Sequence, residues 1–270
     1  MNQIYQCSYF CLPLGTQCTM LFSLAVLAVQ NYQISAFNDA QLSSSLPDHQ
    51  YCVNGTPLKV MPSVRVVVGI TCILSMIGAT LIVLSYILIK DIRTKAREIL
   101  VNLSLMDFMA AAANFTGVVV DFDTYLLDSS HPNISDHKYH MMNNFCKSQA
   151  FFAMYGTISS VLWTICIAVY VFLRIMLDGH NIAQKAIYSC YAISYGVPFI
   201  LSLWFILTGK LGYAPYGGSG WCSVIVYDST TNERLTFNLV FANDIWIYLT
   251  IILVPLIFIA LKFYLRYEVS

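Results

Sequence analysis

Five predominantly apolar stretches of about 20 residues each, at 64–89, 99–120, 150–173, 186–207 and 239–261, dictate most of what this chain can become. A helix of that length crosses the roughly 30 Å of hydrocarbon in a bilayer. Lipid offers no partner for backbone N–H and C=O groups, so each stretch must satisfy its own hydrogen bonds, which a helix does and an isolated strand does not. A porin-type barrel would alternate polar and apolar residues over segments of about 10, and none of the five stretches alternates. The expected fold is therefore all-α, a multi-pass transmembrane helix bundle. Composition agrees: 58% hydrophobic and 10% charged residues lie far from a soluble domain. A formal net charge of zero gives no electrostatic footprint of a nucleic-acid partner.

Lys and Arg placement orients the bundle. Lys90, Arg93, Lys95 and Arg97 follow the first stretch, Arg174 and Lys185 follow the third, and Lys262 and Arg266 follow the fifth, eight cations in about 30 loop positions. The opposite side has six (Lys59, Arg65, Lys138, Lys147, Lys210, Arg234) spread over more than 100. The dense side is expected to be cytoplasmic and the N-terminus extracellular. Residues 1–60 then form an outside segment, 61–266 the membrane domain in contact with lipid, and 267–270 an inside end. Asn54-Gly55-Thr56 and Asn133-Ile134-Ser135 are glycosylation sequons in predicted outside segments. Asn102-Leu103-Ser104 and Asn114-Phe115-Thr116 match too but lie inside a span, where they would go unused. Met20–Val29 is apolar but too short to span; it makes residues 1–30 a weak signal-peptide candidate, since no Lys or Arg precedes it.

Of nine cysteines, Cys7, Cys11 and Cys18 would be lost with a signal peptide, and Cys72, Cys166 and Cys190 fall inside spans as small apolar packers. Cys52, Cys146 and Cys222 remain as outside candidates for a disulfide, with the pairing open.

Several in-span residues stand out. Asp107 lies one to two turns inside the second span and shares a face with Ala110, Ala111 and Asn114. A carboxyl at that depth faces the bundle interior or water; it reads either as a polar switch or ion site, or as a hydrogen-bonded packing group. The third span carries Tyr155, Ser159, Cys166 and Tyr170 on one stripe and Thr157, Ser160 and Thr164 on another, a pattern for a helix surrounded by others, with Trp163 expected in the core. The fourth carries Tyr188, Tyr191 and Tyr195, then Ser194-Tyr195-Gly196-Val197-Pro198, which marks a flexible or kinked mid-section. The fifth holds Asp244, Tyr248 and Pro255 on one face, with Pro255 suited to a kink. Between the last two, Gly209–Asn238 reads as a loop with tight glycine turns, and Asp121–Asn144 as a second long loop.

Together, Asn102-Leu103-Ser104-Leu105-Met106-Asp107, Trp163-Thr164-Ile165-Cys166-Ile167-Ala168-Val169-Tyr170, Tyr195-Gly196-Val197-Pro198, and Lys210-Leu211-Gly212-Tyr213 followed by Gly220-Trp221-Cys222 resemble a G-protein-coupled receptor of the secretin-like and cyclic-AMP-receptor-like groups. The Asp-Arg-Tyr of rhodopsin-like receptors is absent from the end of the third span. The resemblance covers about Val60 to Arg266. It implies a Cys146–Cys222 disulfide pinning the second extracellular loop to the top of the third span, with Cys52 unassigned. It implies an extracellular ligand of unknown identity, with Trp221, Asp244 and Tyr248 as contact candidates, and a heterotrimeric G protein facing Arg93, Lys95, Arg97, Arg174 and Lys185. The same five cations are also what plain positive-inside topology would produce. The family has seven spans and this chain holds the first five, the pattern expected of an incomplete gene model or a truncated isoform. A non-signalling truncated partner of another receptor is the second reading, and a multi-pass transporter a remote third. No internal repeat supports a transporter. No cofactor or enzymatic role is expected: the five histidines read as loop residues, and Asp107 and Asp244 sit at different depths.

Overall fold

A computed structural model of the chain describes residues 52–53, 56–57, 62–89, 94–120, 122, 136–176, 180–213, 222–225, 242 and 245–269. Two compact units divide it, residues 1–58 and 59–270. The first contains a minimal antiparallel pair, β1 (Cys52–Val53) and β2 (Thr56–Pro57), in the register Cys52↔Pro57 and Val53↔Thr56.

The second unit is the helical body. Its elements are α1 (Pro62–Leu88), α2 (Lys95–Val119), α3 (Asp136–Met176), α4 (His180–Tyr191), a π-helical turn Ala192–Gly196, α5 (Val197–Leu207), a two-stranded hairpin of β3 (Leu211–Tyr213) and β4 (Cys222–Val224), and α6 (Ile245–Val269). α4, the π turn and α5 form one continuous fourth span. Five helices among the described residues are long and apolar enough to cross a membrane, one for each predicted stretch. α3 is the hub, packed against α2, α4, α5, α6 and both strands of the hairpin.

Helix ends depart from the apolar blocks for local reasons. α2 starts before its block because Thr94, extended at φ −106° and ψ 160°, caps it by accepting the Arg97 N–H. α3 starts at Asp136, so the second long loop is shorter than expected and His137 and His140 lie on a helix. At 41 residues this helix is about 60 Å long, well beyond the hydrocarbon layer. Its first turns carry exposed polar side chains that no apolar-length criterion detects. α6 runs through Pro255 and past the predicted end, with Lys262 and Arg266 exposed on its last turns. Long basic side chains keep their heads wet while their stems cover apolar surface.

The π turn has a cause in the sequence. Pro198 brings no N–H, and its ring crowds the carbonyl of residue 194, which favours a wider turn before it over ordinary α register. Such single π turns inside a helix are the usual result of an extra residue in one turn. α5 then ends at Gly209, whose φ of +68° is the left-handed position glycine favours. Gly209 N–H donates to Ile206 O at 3.2 Å and Lys210 N–H to Phe205 O at 2.9 Å, a Schellman-type cap. The chain leaves directly into β3, which pairs with β4 as Leu211↔Val224, Gly212↔Ser223 and Tyr213↔Cys222. The predicted glycine-turn loop thus contains a β-hairpin.

Candidate functional site

Two buried clusters sit along α3, one toward each end. The first gathers Cys146, Ala150, Met154, Ile158 and Leu162 of α3 with Phe205 of α5, Leu211 and Val224 of the hairpin, Cys222, Phe122 and Ala242. Its covalent element is the Cys146–Cys222 disulfide, with Cα atoms 5.3 Å apart across 76 residues of sequence. Both cysteines are almost inaccessible. The bridge fixes the hairpin against α3, while Phe122 stacks on Phe145 with ring centroids 6.0 Å apart. One turn along α3 from Cys146, the buried Gln149 donates through Nε2 to the Ala113 carbonyl of α2 at 2.9 Å.

Within the stretch of α3 that feeds the first cluster, α2 and α3 come into close contact. A Cβ on Gly156 would lie 2.8 Å from the backbone N of Ala110, so glycine is what lets the two backbones touch. One turn further along α3, Ser160 donates its hydroxyl to Asp107 Oδ1. The intramembrane carboxylate therefore has a partner on the neighbouring helix, as burial of a carboxyl demands. Asn114, two turns along α2, is half-buried.

The second cluster packs Ile99 and Leu103 of α2, Trp163 and Cys166 of α3, and Ile187 and Cys190 of α4. A polar network surrounds it. Asn102 Nδ2 donates to Tyr191 Oη at 2.9 Å and to the Glu98 carbonyl at 2.7 Å, while Asn102 Oδ1 accepts from Tyr195 Oη at 2.7 Å. Tyr191 Oη in turn donates to Glu98 Oε1 at 2.9 Å, and Glu98 pairs with Lys95 at 2.8 Å. The Trp163 ring, fully buried as expected for a core residue, is met edge-on by Tyr191 at 5.0 Å and Tyr195 at 5.5 Å. Ser194 Oγ and Cys166 Sγ lie 3.5 Å apart beside it.

Of the predicted site residues, the structure joins Cys146 to Cys222 and places Asp107 against Ser160. It places Lys95, Arg97, Arg174 and Lys185 at the helix ends beyond the tyrosine cluster: Lys95, Arg174 and Lys185 are exposed and Arg97 is half-buried. Tyr248 is exposed on α6. Trp221, Asp244, Arg93, Asn54 and Asn133 lie outside the described residues. Glu98 and Gln149 carry no signal in the sequence, and Asn102 enters there as an unused sequon and as the first residue of a motif shared with the receptor family, without a partner. The tyrosine stripe of the fourth span was visible, but as one face. Tyr195, in the π turn, stacks on Tyr191 (centroids 6.2 Å), and Tyr188 is exposed.

This arrangement of five membrane-crossing helices, a bonded hairpin and a central third helix has counterparts. The profile of the 7-transmembrane receptor (secretin family) matches residues 61–223. G-protein coupled receptor 157 of Rattus norvegicus is 29% identical over 208 residues, covering 76% of this chain and 57% of that protein. The Homo sapiens protein of the same name is 28% identical over 208 residues, covering 76% and 56%. The chain thus spans little more than half the length of these relatives. The crystal structure of squid rhodopsin superposes with a TM-score of 0.54 at 14% identity, over 83% of this chain and 58% of that one, which speaks for the fold alone. With its helices in receptor order and the profile running from the first span through Cys222 and Ser223, the chain belongs to the secretin family of seven-transmembrane receptors.

Proposed function

We propose that the protein carrying this chain is a plasma-membrane receptor that passes an extracellular ligand signal to a heterotrimeric G protein. The observation that carries this reading is the polarity of α3. A disulfide-bonded hairpin caps one end of the helix, and exposed cations cluster at the other. The disulfide end faces outside, where oxidation sustains such a bond; the Lys-rich and Arg-rich end faces the cytoplasm. On this reading residues 1–60 lie outside with sugars on Asn54 and Asn133, and 61–266 form the receptor body in lipid.

Ligand engages the disulfide end through Trp221, Asp244 and Tyr248, and the G protein engages Arg93, Lys95, Arg97, Arg174 and Lys185. The Asp107–Ser160 pair, with Asn114 above it, is the polar switch between the two ends. A ligand shifts such a bundle only by binding one of its two states better than the other. The test is a panel of Gα dissociation sensors in cells expressing the full-length protein. Activation of at least one Gα, lost in a combined Arg97→Ala, Arg174→Ala and Lys185→Ala variant at equal surface level, is the expected result. A silent panel across candidate ligands, with the protein verified at the surface, contradicts the reading.

A further inference from the structure

The fourth span, like α3, contributes to both cores, and it does so across a π turn. α4 contributes Ile187 and Cys190 to the tyrosine cluster, and α5 contributes Phe205 to the disulfide cluster. They join through the π turn Ala192–Gly196, with Pro198 two residues beyond it. A proline-preceded turn lacks one rung of backbone hydrogen bonding, which is where helices bend and turn. Gly196 adds room, since a Cβ there would meet nothing within 4 Å.

Something must then hold α5 in one orientation about this joint. Its inward face is sharply defined: Pro198, Ser202 and Phe205 are buried, while Phe199, Ile200, Leu203 and Trp204 are exposed. The groups that grip the joint are Tyr191, directly before it, and Tyr195, within it. Both bond the same amide, that of Asn102 on α2, one as acceptor and one as donor. Both rings also flank Trp163. Ser194, inside the turn, is fully buried against Cys166. Such a two-sided grip on a single amide fixes rotation as well as position, because the carboxamide's donor and acceptor sides cannot be exchanged without breaking both bonds.

We propose that Ala192–Gly196 is a swivel in the fourth span and that the bonds of Tyr191 and Tyr195 to Asn102 are its lock. When the lock opens, the wide turn relaxes toward an ordinary α turn. One residue fewer per turn carries α5 round by up to about 100°. Ser202 and Phe205 then leave the α3 interface, and Trp204 turns toward it. The lock has a handle at the helix end: Tyr191 also bonds Glu98, which pairs with the exposed Lys95. A partner that draws Glu98 away from Tyr191 therefore loosens α5 at the far side of the molecule. This coupling stands independently of any G protein.

The test places a single reporter thiol on α5 of the full chain in mild detergent, as Ser202→Cys or as Trp204→Cys, and measures labelling by pyrene maleimide above the background of the same chain without the added thiol. With the lock intact, Trp204→Cys reacts and Ser202→Cys does not. Adding Tyr195→Phe, which removes one hydroxyl and keeps the ring packing, is expected to raise Ser202→Cys labelling about two- to twentyfold and to lower that of Trp204→Cys. Adding Pro198→Ala to Tyr195→Phe lets the preceding turn close and enlarges the exchange. If Ser202→Cys stays unreactive in both backgrounds, the lock does not govern α5. If both reporters become reactive together, the bundle has merely loosened, and the swivel is overturned.

Discussion

The two ends of α3 are held by opposite means. At one end a covalent bond and a mainly apolar cluster press a hairpin onto the helix. At the other, directional contacts join α2, α3 and α4 through one asparagine, one glutamate, two tyrosines and a tryptophan. A disulfide acts largely on the unfolded chain and constrains the folded one little beyond its own loop. A partly buried polar network does the reverse: it adds modest net stability and specifies one arrangement, since any other leaves polar atoms unpaired where water reaches them poorly. The first end is built to persist and the second to be particular. A membrane protein needs that division, because lipid supplies no hydrophobic drive to choose between helix pairings.

Cutting the covalent end is expected to cost most. Cys146→Ala, which opens a loop of 76 residues, should remove about 4–5 kcal/mol by the chain-entropy relation. A large fall in thermal midpoint, measured by thiol-dye unfolding in detergent, checks it. Next comes the crossing that joins the two ends. Gly156→Ala forces a Cβ to 2.8 Å from the Ala110 backbone and should destabilise by about 1–3 kcal/mol. Gly78→Ala meets nothing within 4 Å and should change the same midpoint by no more than about 0.5 kcal/mol. The tyrosine network ranks third: Tyr195→Phe strands Asn102 Oδ1 and should cost about 0.5–1.7 kcal/mol, the range of hydrogen bonds between membrane helices. Its loss of hydrogen-exchange protection should be confined to the fourth span, 188–207, and spare the hairpin; a uniform loss would erase the contrast between the ends. Smallest is Lys95→Ala. With 59% of its side chain exposed, the Lys95–Glu98 pair should contribute less than about 0.5 kcal/mol, and less still in high salt.

The spans were legible because lipid imposes a length and forbids charge, and both leave a plain trace. Helix ends set by polar capping were less so: Thr94 extends α2, and the exposed turns from Asp136 onward lengthen α3, without any apolar signal. The hairpin hid because three-residue strands such as Leu211–Tyr213 carry too little alternation to register. The disulfide followed from likeness to a family, since the residues alone left three cysteines to pair. The tyrosine network lay deepest. Asn102 and Tyr195 stand 93 residues apart, and nothing in the fourth-span stripe says which residue of α2 its tyrosines meet. Ser194 to Pro198 announced an irregularity, but its geometry depends on the proline meeting a helix that continues on both sides.

The measurement that tests the central claim most directly is the sidedness of the two ends. Met141→Cys and Lys185→Cys both offer exposed positions, one on α3 before the disulfide and one on α4 before the tyrosine network. Intact cells expressing either variant are treated with a membrane-impermeant maleimide, with the parent chain as background. Met141→Cys is expected to label in intact cells and Lys185→Cys only after permeabilisation. Labelling of Lys185→Cys in intact cells, with Met141→Cys protected, would contradict this sidedness and remove the basis for a ligand at the disulfide end.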